Sequence, residues 1–426
     1  MKSAWAVSAA IGTAMALAAC NGGGGGGGGS GTGAALLTTI TVPNVTSGTN
    51  FSFDLGTVDS ARRRYYFTDR NNASVDVFDA DFNTFIKLIP GFHGCNTGPT
   101  CAGANNDLSG PDGIDIIPGT TQIYVGDVNA VRIIDTQTDT VVKSIAIGGN
   151  SGFRADEGCY DPDHKIYMIS SPGEDPPFDT FIDITSQKII ATLLVTDPGS
   201  GPKGPASAGL EACVYDHASQ SFLVNNDGST ANPHGEVDVI PVSAVMAGTP
   251  TAPVTLTIPT IVAGSGWKIY PLGNCDPTGL TLGPGNDMAI SCRQGTQGVP
   301  LTVQILDRTN GNQLANLNAG GGDQIAYDSV TNRYYLAASR WTTSGNSSGS
   351  ACTAASPCVP RLIVIDAAAR SVLQKLASGN NAHSVAVDPV SHHVFMPSSS
   401  AAAPAGCSDC TSGNIPNGGV LVYQQN

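Results

Sequence analysis

Charge is scarce in this chain. Asp, Glu, Lys and Arg make up 13% of its 426 residues, and 34 acids outnumber 20 basic residues, for a formal charge of −14. A surface so poor in Lys and Arg lacks the electrostatic footprint of a protein that binds nucleic acid or anionic headgroups directly. The common catalytic signatures are missing as well. There is no HExxH, GxSxG, P-loop or dinucleotide fingerprint, and the Gly-rich pieces follow turns without a helix after them, so they are not phosphate cradles. Cys407-Ser-Asp-Cys410 is followed by Thr411 where covalent c-type haem needs His, and it lacks the βαβ setting of a thioredoxin-like motif. Arg62-Arg63-Arg64 is too short for a nucleic-acid patch. His164, His217 and the pair His392-His393 fall at inter-strand turns, where solvated side chains are expected.

What the chain has in quantity is turn residues, 52 Gly and 27 Pro. Residues 111–149 show the plan. Four short runs, GIDII, QIYVGD, AVRIID and VVKSIAI, alternate apolar and polar residues, and Pro118-Gly119-Thr120, Asn129 and residues 136–139 separate them. Such runs joined by tight turns read as a four-stranded antiparallel meander. A meander cannot bury both faces alone and must stack on copies of itself.

Seven copies are present. Their first two strands read LGTVD (55–59) with YYFTD, GIDII (113–117) with IYVGD, EGCYD (157–161) with IYMIS, ACVYD (212–216) with FLVNN, GLTLG (279–283) with MAISC, QIAYD (324–328) with YYLAA, and SVAVD (384–388) with VFMPS. Fourth strands are expected at FIKLI, VVKSIAI, IIATLLV, QLANL, VTLTI and VLQKLA. The seventh unit ends at residues 420–426 without a fourth strand, and residues 36–44, LLTTITVPN, look like the missing one. The expectation is an all-β, seven-bladed β-propeller over residues 36–426, its last blade closed by an N-terminal strand that removes the open edge. Length beyond the compact repeat lies at 90–111, 196–210, 227–235, 258–277, 340–360 and 398–418, and connections on a rigid ring are where function gathers. Trp267, Tyr270 and Trp341 fall in these loops and either pin them or line a ligand surface.

The second unit resembles the YVTN-type β-propeller repeat, in which a Pro-x-Gly-hydrophobic strand precedes Tyr-Val-Thr-Asn and an Ile-Asp-x-x-Thr segment. Tyr124-Val125-Gly126-Asp127 and Tyr66-Phe67-Thr68-Asp69 are close variants; the other repeats keep only the pattern. The resemblance implies the fold rather than a chemistry, because relatives include surface proteins, lactonases and subunits of periplasmic dehydrogenases.

Residues 1–19 read as a signal peptide: Lys2, then an apolar, small-residue stretch too short to span a bilayer. Leu17-Ala18-Ala19-Cys20 resembles a bacterial lipobox, which implies cleavage before Cys20 and lipid on it. Asn21 in place of Asp implies the outer membrane over inner-membrane retention. Residues 20–35 then form a glycine-rich tether. The chain is expected as a monomer held in the cell envelope by its lipid, facing the periplasm or the surface.

Ten cysteines remain after Cys20, an even number in an exported chain, which suggests five disulfides. Cys95 with Cys101, Cys352 with Cys358 and Cys407 with Cys410 would each close a small loop, and Cys275 and Cys292 flank the first hairpin of the fifth unit. Cys159 and Cys213 lie on inner strands of adjacent units and suit an inter-blade staple.

One constellation stands above composition. The residue just before each inner strand is Asp54, Asp112, Asp156, Glu211, Thr278, Asp323 or His383, five acids in seven positions that face the channel mouth. Carboxylates gathered there repel unless a cation or donors offset them. Two readings stand: hydrogen-bond acceptors that hold turns and neighbouring blades together, or a site for Ca²⁺ or Mg²⁺ built from Asp54, Asp112, Asp156, Glu211, Asp323 and His383. The function expected is a binding module for a protein or small molecule at the loop face. The alternative is a metal-dependent hydrolase of lactone or ester type with Glu211, Asp323 and His383 as ligands or base. A further alternative is a periplasmic electron-transfer subunit, for which no cofactor signature is present.

Overall fold

The computed structural model describes residues 33–45, 51–197, 201–202, 209–258, 265–292, 301–339, 359–399 and 418–425. They form seven small antiparallel sheets arranged as a β-propeller. In blade 1 the strands are Phe53–Asp59, Arg64–Asp69, Ser74–Asp79 and Thr84–Pro90, from the channel outward. Blade 2 follows the same plan with Ile114–Ile116, Gln122–Asp127, Ala130–Asp135 and Thr140–Ala146.

The second strand of each blade carries the core. Tyr65, Tyr66 and Phe67 are fully buried, as are Ile123, Tyr124 and Val125, and Tyr334, Tyr335 and Leu336. These runs are apolar without alternation because both faces of the strand are covered. Successive side chains point to opposite faces, so Tyr65 and Phe67 pack against blade 7 while Tyr66 packs against blade 2. The outer strands Thr84–Pro90 and Thr140–Ala146 instead alternate between exposed and half-buried positions. The hydrophobic core is therefore seven layers, each between two neighbouring blades, and closing the ring leaves no blade face bare.

Closure occurs as the sequence suggested. Ala34–Ile40 is the outermost strand of blade 7, antiparallel to Gly419–Gln425, with Ala34 opposite Gln425 and Ile40 opposite Val420. It begins two residues ahead of the boundary read from the sequence. The side chain of Gln374, on the outer strand of blade 6, clasps it: Ala34 N–H donates to Oε1 at 2.7 Å and Nε2 donates to the Ala34 carbonyl at 2.9 Å.

One strand is not where its pattern placed it. VTLTI was expected as the fourth strand of blade 4, but Val254–Thr257 pairs in parallel with Lys188–Leu194 as a fifth strand of blade 3. The fourth strand of blade 4 is Lys268–Pro271, which places Tyr270 in a strand, buried, with its hydroxyl donating to the Arg308 carbonyl at 3.0 Å. The cause is the short helix Val242–Val245 after the third strand, which buries Val242 and Val245 against Ile190, Ala191 and Leu193 of blade 3 and carries the chain to that edge.

Asp residues recur at strand ends. Asp59, Asp161, Asp216, Asp328 and Asp388 close the inner strands and accept backbone N–H groups two or three residues on. Four residues after each comes a left-handed residue: Arg63, Lys165, Gln220, Asn332 and His392. Asp79, Asp135, Asp183, Asp307 and Asp366 do the same between the third and fourth strands. Much of the acidic excess is thus turn chemistry. His393, expected at the surface, is buried, with Nδ1 3.0 Å from the Ala80 carbonyl of blade 1.

Three disulfides form among the described residues: Cys95–Cys101, Cys275–Cys292 and Cys159–Cys213, the last joining blades 3 and 4 with Cα atoms 5.7 Å apart. Cys20, Cys352, Cys358, Cys407 and Cys410, with the segment read as signal peptide and most of the one read as tether, lie outside the described residues.

Candidate functional site

Strand direction decides which face gathers the rim residues. Each inner strand runs away from its acidic start, so the Asp-closed hairpins all fall on the opposite face. The strand ends that flank the connections at 90–111, 196–210, 227–235, 340–360 and 398–418 fall on the acidic face. The segment 258–277 departs from this, because Lys268–Pro271 interrupts it.

On the acidic face the structure brings Asp54, Asp156, Glu211, Asp323 and His383 into the wall of one cavity of about 560 Å³. Asp112 lies behind it, fully buried. Thr278 takes no part: its hydroxyl is buried and donates to the Gly322 carbonyl at 2.6 Å, a tie between blades 5 and 6. Inner strands meet closely beneath the rim. Gly113 N–H donates to the Asp156 carbonyl at 2.9 Å, and a Cβ on Gly113 would stand 2.0 Å from that oxygen.

Two arginines organise the acids. Arg70, directly after the second strand of blade 1, donates from Nη2 to Asp54 at 2.8 Å and makes a closer bond to Asp112. Arg154 contacts Asp156 at 2.8 Å, Asp112 at 3.3 Å and Asp54 at 3.5 Å. The carboxylate oxygens of Asp54, Asp112 and Asp156 lie within 4.8 Å of one another, near enough to chelate one ion, and guanidinium donors already engage all three. His383 stacks flat on Phe53 with ring centroids 4.7 Å apart; its Nδ1 meets the Asn381 carbonyl at 2.6 Å and its Nε2 lies 3.6 Å from Asp54.

Burial and neighbours set the protonation. Burial would raise Asp54, but Arg70, His383 and Arg154 together hold it well below the usual carboxylate range. In Asp112 burial prevails over the two arginines and pushes the group up to about 7. Asp156 is raised by burial despite Arg154. Glu157 is pushed far up by burial first, then by Glu211, Asp156, Asp54 and Asp323. For His383 burial works downward, but Asp54 and Asp323 outweigh it and raise the imidazole.

Reading positions before inner strands missed Arg70, Arg154 and Glu157. Arg154-Ala155-Asp156-Glu157 carries the signal in its spacing, a base two residues before a rim acid and a second acid after it. Arg70 has none, because its role depends on blade 2 lying alongside blade 1. The connection at 90–111 also walls the cavity, through Cys101, Gly103, Ala104 and Asn106. The Cys95–Cys101 disulfide and the Cys95 N–H, which donates to the Arg70 carbonyl at 3.2 Å, hold it there.

No protein-family model matches the chain, and no curated protein matches it in sequence. Similarity appears among solved structures. A chain of the Kuenenia stuttgartiensis hydrazine synthase superposes with a TM-score of 0.57 at 11% identity, covering 84% of this chain and 96% of that one. A chain of a mitotic checkpoint complex superposes with a TM-score of 0.55 at 9% identity, covering 96% and 98%. At such identity the likeness shows the fold alone.

Proposed function

We propose that this chain is an envelope-tethered binding module of the YVTN-repeat kind, with the mouth cavity as its ligand site. The observation that carries the reading is the cavity itself: about 560 Å³ walled by buried charged side chains, on the face where long connections begin and end. The disulfide-stapled ring holds those side chains rigidly, and a rigid site loses little entropy on binding. A lipid on Cys20, followed by the glycine run at 22–29, would hold the ring off an outer-membrane surface while leaving it free to turn.

Two experiments test this. A thermal-shift screen of a small-molecule and peptide library should find ligands whose effect disappears in Ala104→Trp, which fills the cavity from the loop side; ligands that keep their effect in that variant would put the site elsewhere. Cys20→Ser should move the protein from the detergent-extracted membrane fraction to the soluble fraction, and an unchanged fraction would defeat the anchor.

A hydrolase remains the second reading because Glu211, Asp323 and His383 all line the one cavity. A calcium or magnesium ion would compete with Arg70 and Arg154 for Asp54, Asp112 and Asp156, the described carboxylates that lie within 4.8 Å of one another. Turnover of simple lactones that depends on added metal and is lost in Asp323→Asn would favour this reading over binding alone.

A further inference from the structure

We infer that the mouth cavity takes an organic cation, a primary ammonium or guanidinium group on a slender arm that reaches the buried carboxyl of Glu157. The inference rests on the mouth cavity being the ligand site. Five carboxyl groups line that cavity, those of Asp54, Asp156, Glu157, Glu211 and Asp323, against two guanidinium groups and the imidazole of His383. Arg70 and Arg154 contact Asp54, Asp112 and Asp156.

Glu157 is different. Its side belongs both to the mouth cavity and to a narrower cavity of about 130 Å³ in the channel beneath, so it forms the floor between them. The residue is only 7% exposed, and its carboxyl, which opens onto the cavity, meets no hydrogen-bonding group among the described residues. A buried polar group left in that state costs stability unless something supplied from outside pairs with it. A cation suits this place because Asp54, Asp156, Glu211 and Asp323 line the same cavity, and a positive charge there offsets their repulsion and lets Glu157 give up its proton. Size argues for an organic group. The cavity has the volume of a small-molecule pocket, well beyond one ion, and the three carboxylates placed closely enough to chelate metal are the ones the arginines hold. A flexible alkyl arm with a terminal ammonium can pass the rim and place its charge on the floor.

The test is calorimetric titration of the full-length chain, purified with the Cys20→Ser change, using four probes: 1,5-diaminopentane, 1-pentanol, glutarate and calcium chloride. 1,5-Diaminopentane should bind and the neutral and anionic probes should not. Glu157→Gln should weaken its binding by about thirtyfold or more, the loss typical of removing one partner of a desolvated charge pair. Should Glu157→Gln fail to fold, Glu211→Gln, at a half-buried position, should weaken binding in the same direction. No binding of the diamine to the wild type overturns the inference, as does equal binding by both variants. Calcium binding more tightly than the diamine, with loss in Glu157→Gln, overturns it in favour of a metal site. Binding of glutarate or pentanol that Ala104→Trp abolishes would keep the mouth as the ligand site and defeat only the cation. Binding that Ala104→Trp leaves intact would defeat the site itself.

Discussion

Arg70 of blade 1 donates to Asp112 of blade 2 across the blade boundary, where the carboxylate is fully buried and the guanidinium nearly so. The same guanidinium holds Asp54 at 2.8 Å. Removing it leaves two buried carboxylates facing each other, with Arg154 in contact with both and His383 beside Asp54. Arg70→Met should therefore destabilise the protein by about 3–5 kcal/mol, read as a lowered urea midpoint at constant slope. Asp112→Asn in that background should restore part of the loss. A drop below about 1 kcal/mol, as at exposed pairs, would show that water reaches the site and screens it.

The clasp between Gln374 and Ala34 predicts that ring closure is tuned from blade 6. Gln374→Ala removes two hydrogen bonds to the closing strand and should cost about 1–3 kcal/mol. Hydrogen exchange should then quicken at residues 34–40 before anywhere else in blade 7. Deleting residues 34–40 exposes the edge of Gly419–Gln425 and should produce aggregation, visible by light scattering. A deletion product that stays monomeric and equally stable would mean that the strand is dispensable.

The Cys159–Cys213 bond closes a loop with a sequence separation of 54 and ties two inner strands. The double change to Ser should cost about 2–4 kcal/mol. Added reductant should lower the wild-type melting temperature toward that of the variant. Peptide mapping without reduction should recover this pair, Cys95–Cys101 and Cys275–Cys292. We further expect Cys352–Cys358 and Cys407–Cys410, which free thiols at those four positions would refute.

Stability should decline from mildly acidic to neutral pH. Asp69, Asp112 and Asp115 are raised by burial, to about 6, about 7 and about 7. A carboxyl raised on folding holds its proton more tightly in the native state, so its contribution is complete below pH 4 and is lost as the pH climbs to 6–7. Asp54 and Asp388, held low by arginines, act in the opposite sense and give up their contribution only at strongly acid pH. Asp115→Asn should flatten the fall in melting temperature between pH 4 and 7, because its amide does not titrate and its Oδ1 can still accept from the Tyr167 hydroxyl, which Asp115 meets at 3.0 Å. A profile as steep as wild type would show that Asp115 is ionised throughout.

How much of this was legible in the sequence depended on range. Runs such as Tyr65-Tyr66-Phe67 and Tyr334-Tyr335-Leu336 announce strands buried on both faces, and the absent fourth strand of the last unit pointed to the N-terminus. The strand at 254–257 was misplaced because its alternation says that it has one covered face but not which sheet covers it. Choosing blade 3 over blade 4 was decided by Val242 and Val245, whose packing partners lie some fifty residues upstream. At the site, local position located the rim carboxylates. It could not locate Arg70, whose significance is a contact between residues 42 apart in sequence. Nor could it separate the Asp residues at the mouth from those at strand ends such as Asp59 and Asp388, since both kinds sit beside turns and only chain direction distinguishes their faces.

The parallel strand Val254–Thr257 makes blades 3 and 4 an interleaved pair. Its chain leaves blade 4 after the third strand, completes blade 3, and returns to finish blade 4 with Lys268–Pro271. Neither blade is then a unit that could be duplicated, deleted or transplanted alone, whereas a cut between blades 1 and 2 would sever only a connection. During synthesis blade 3 lacks its outermost strand until residue 257 has emerged, so its edge at Lys188–Leu194 stays open while most of blade 4 is being made. The two blades should accordingly dock late and together, and Cys159–Cys213 joins the same two blades at their inner strands.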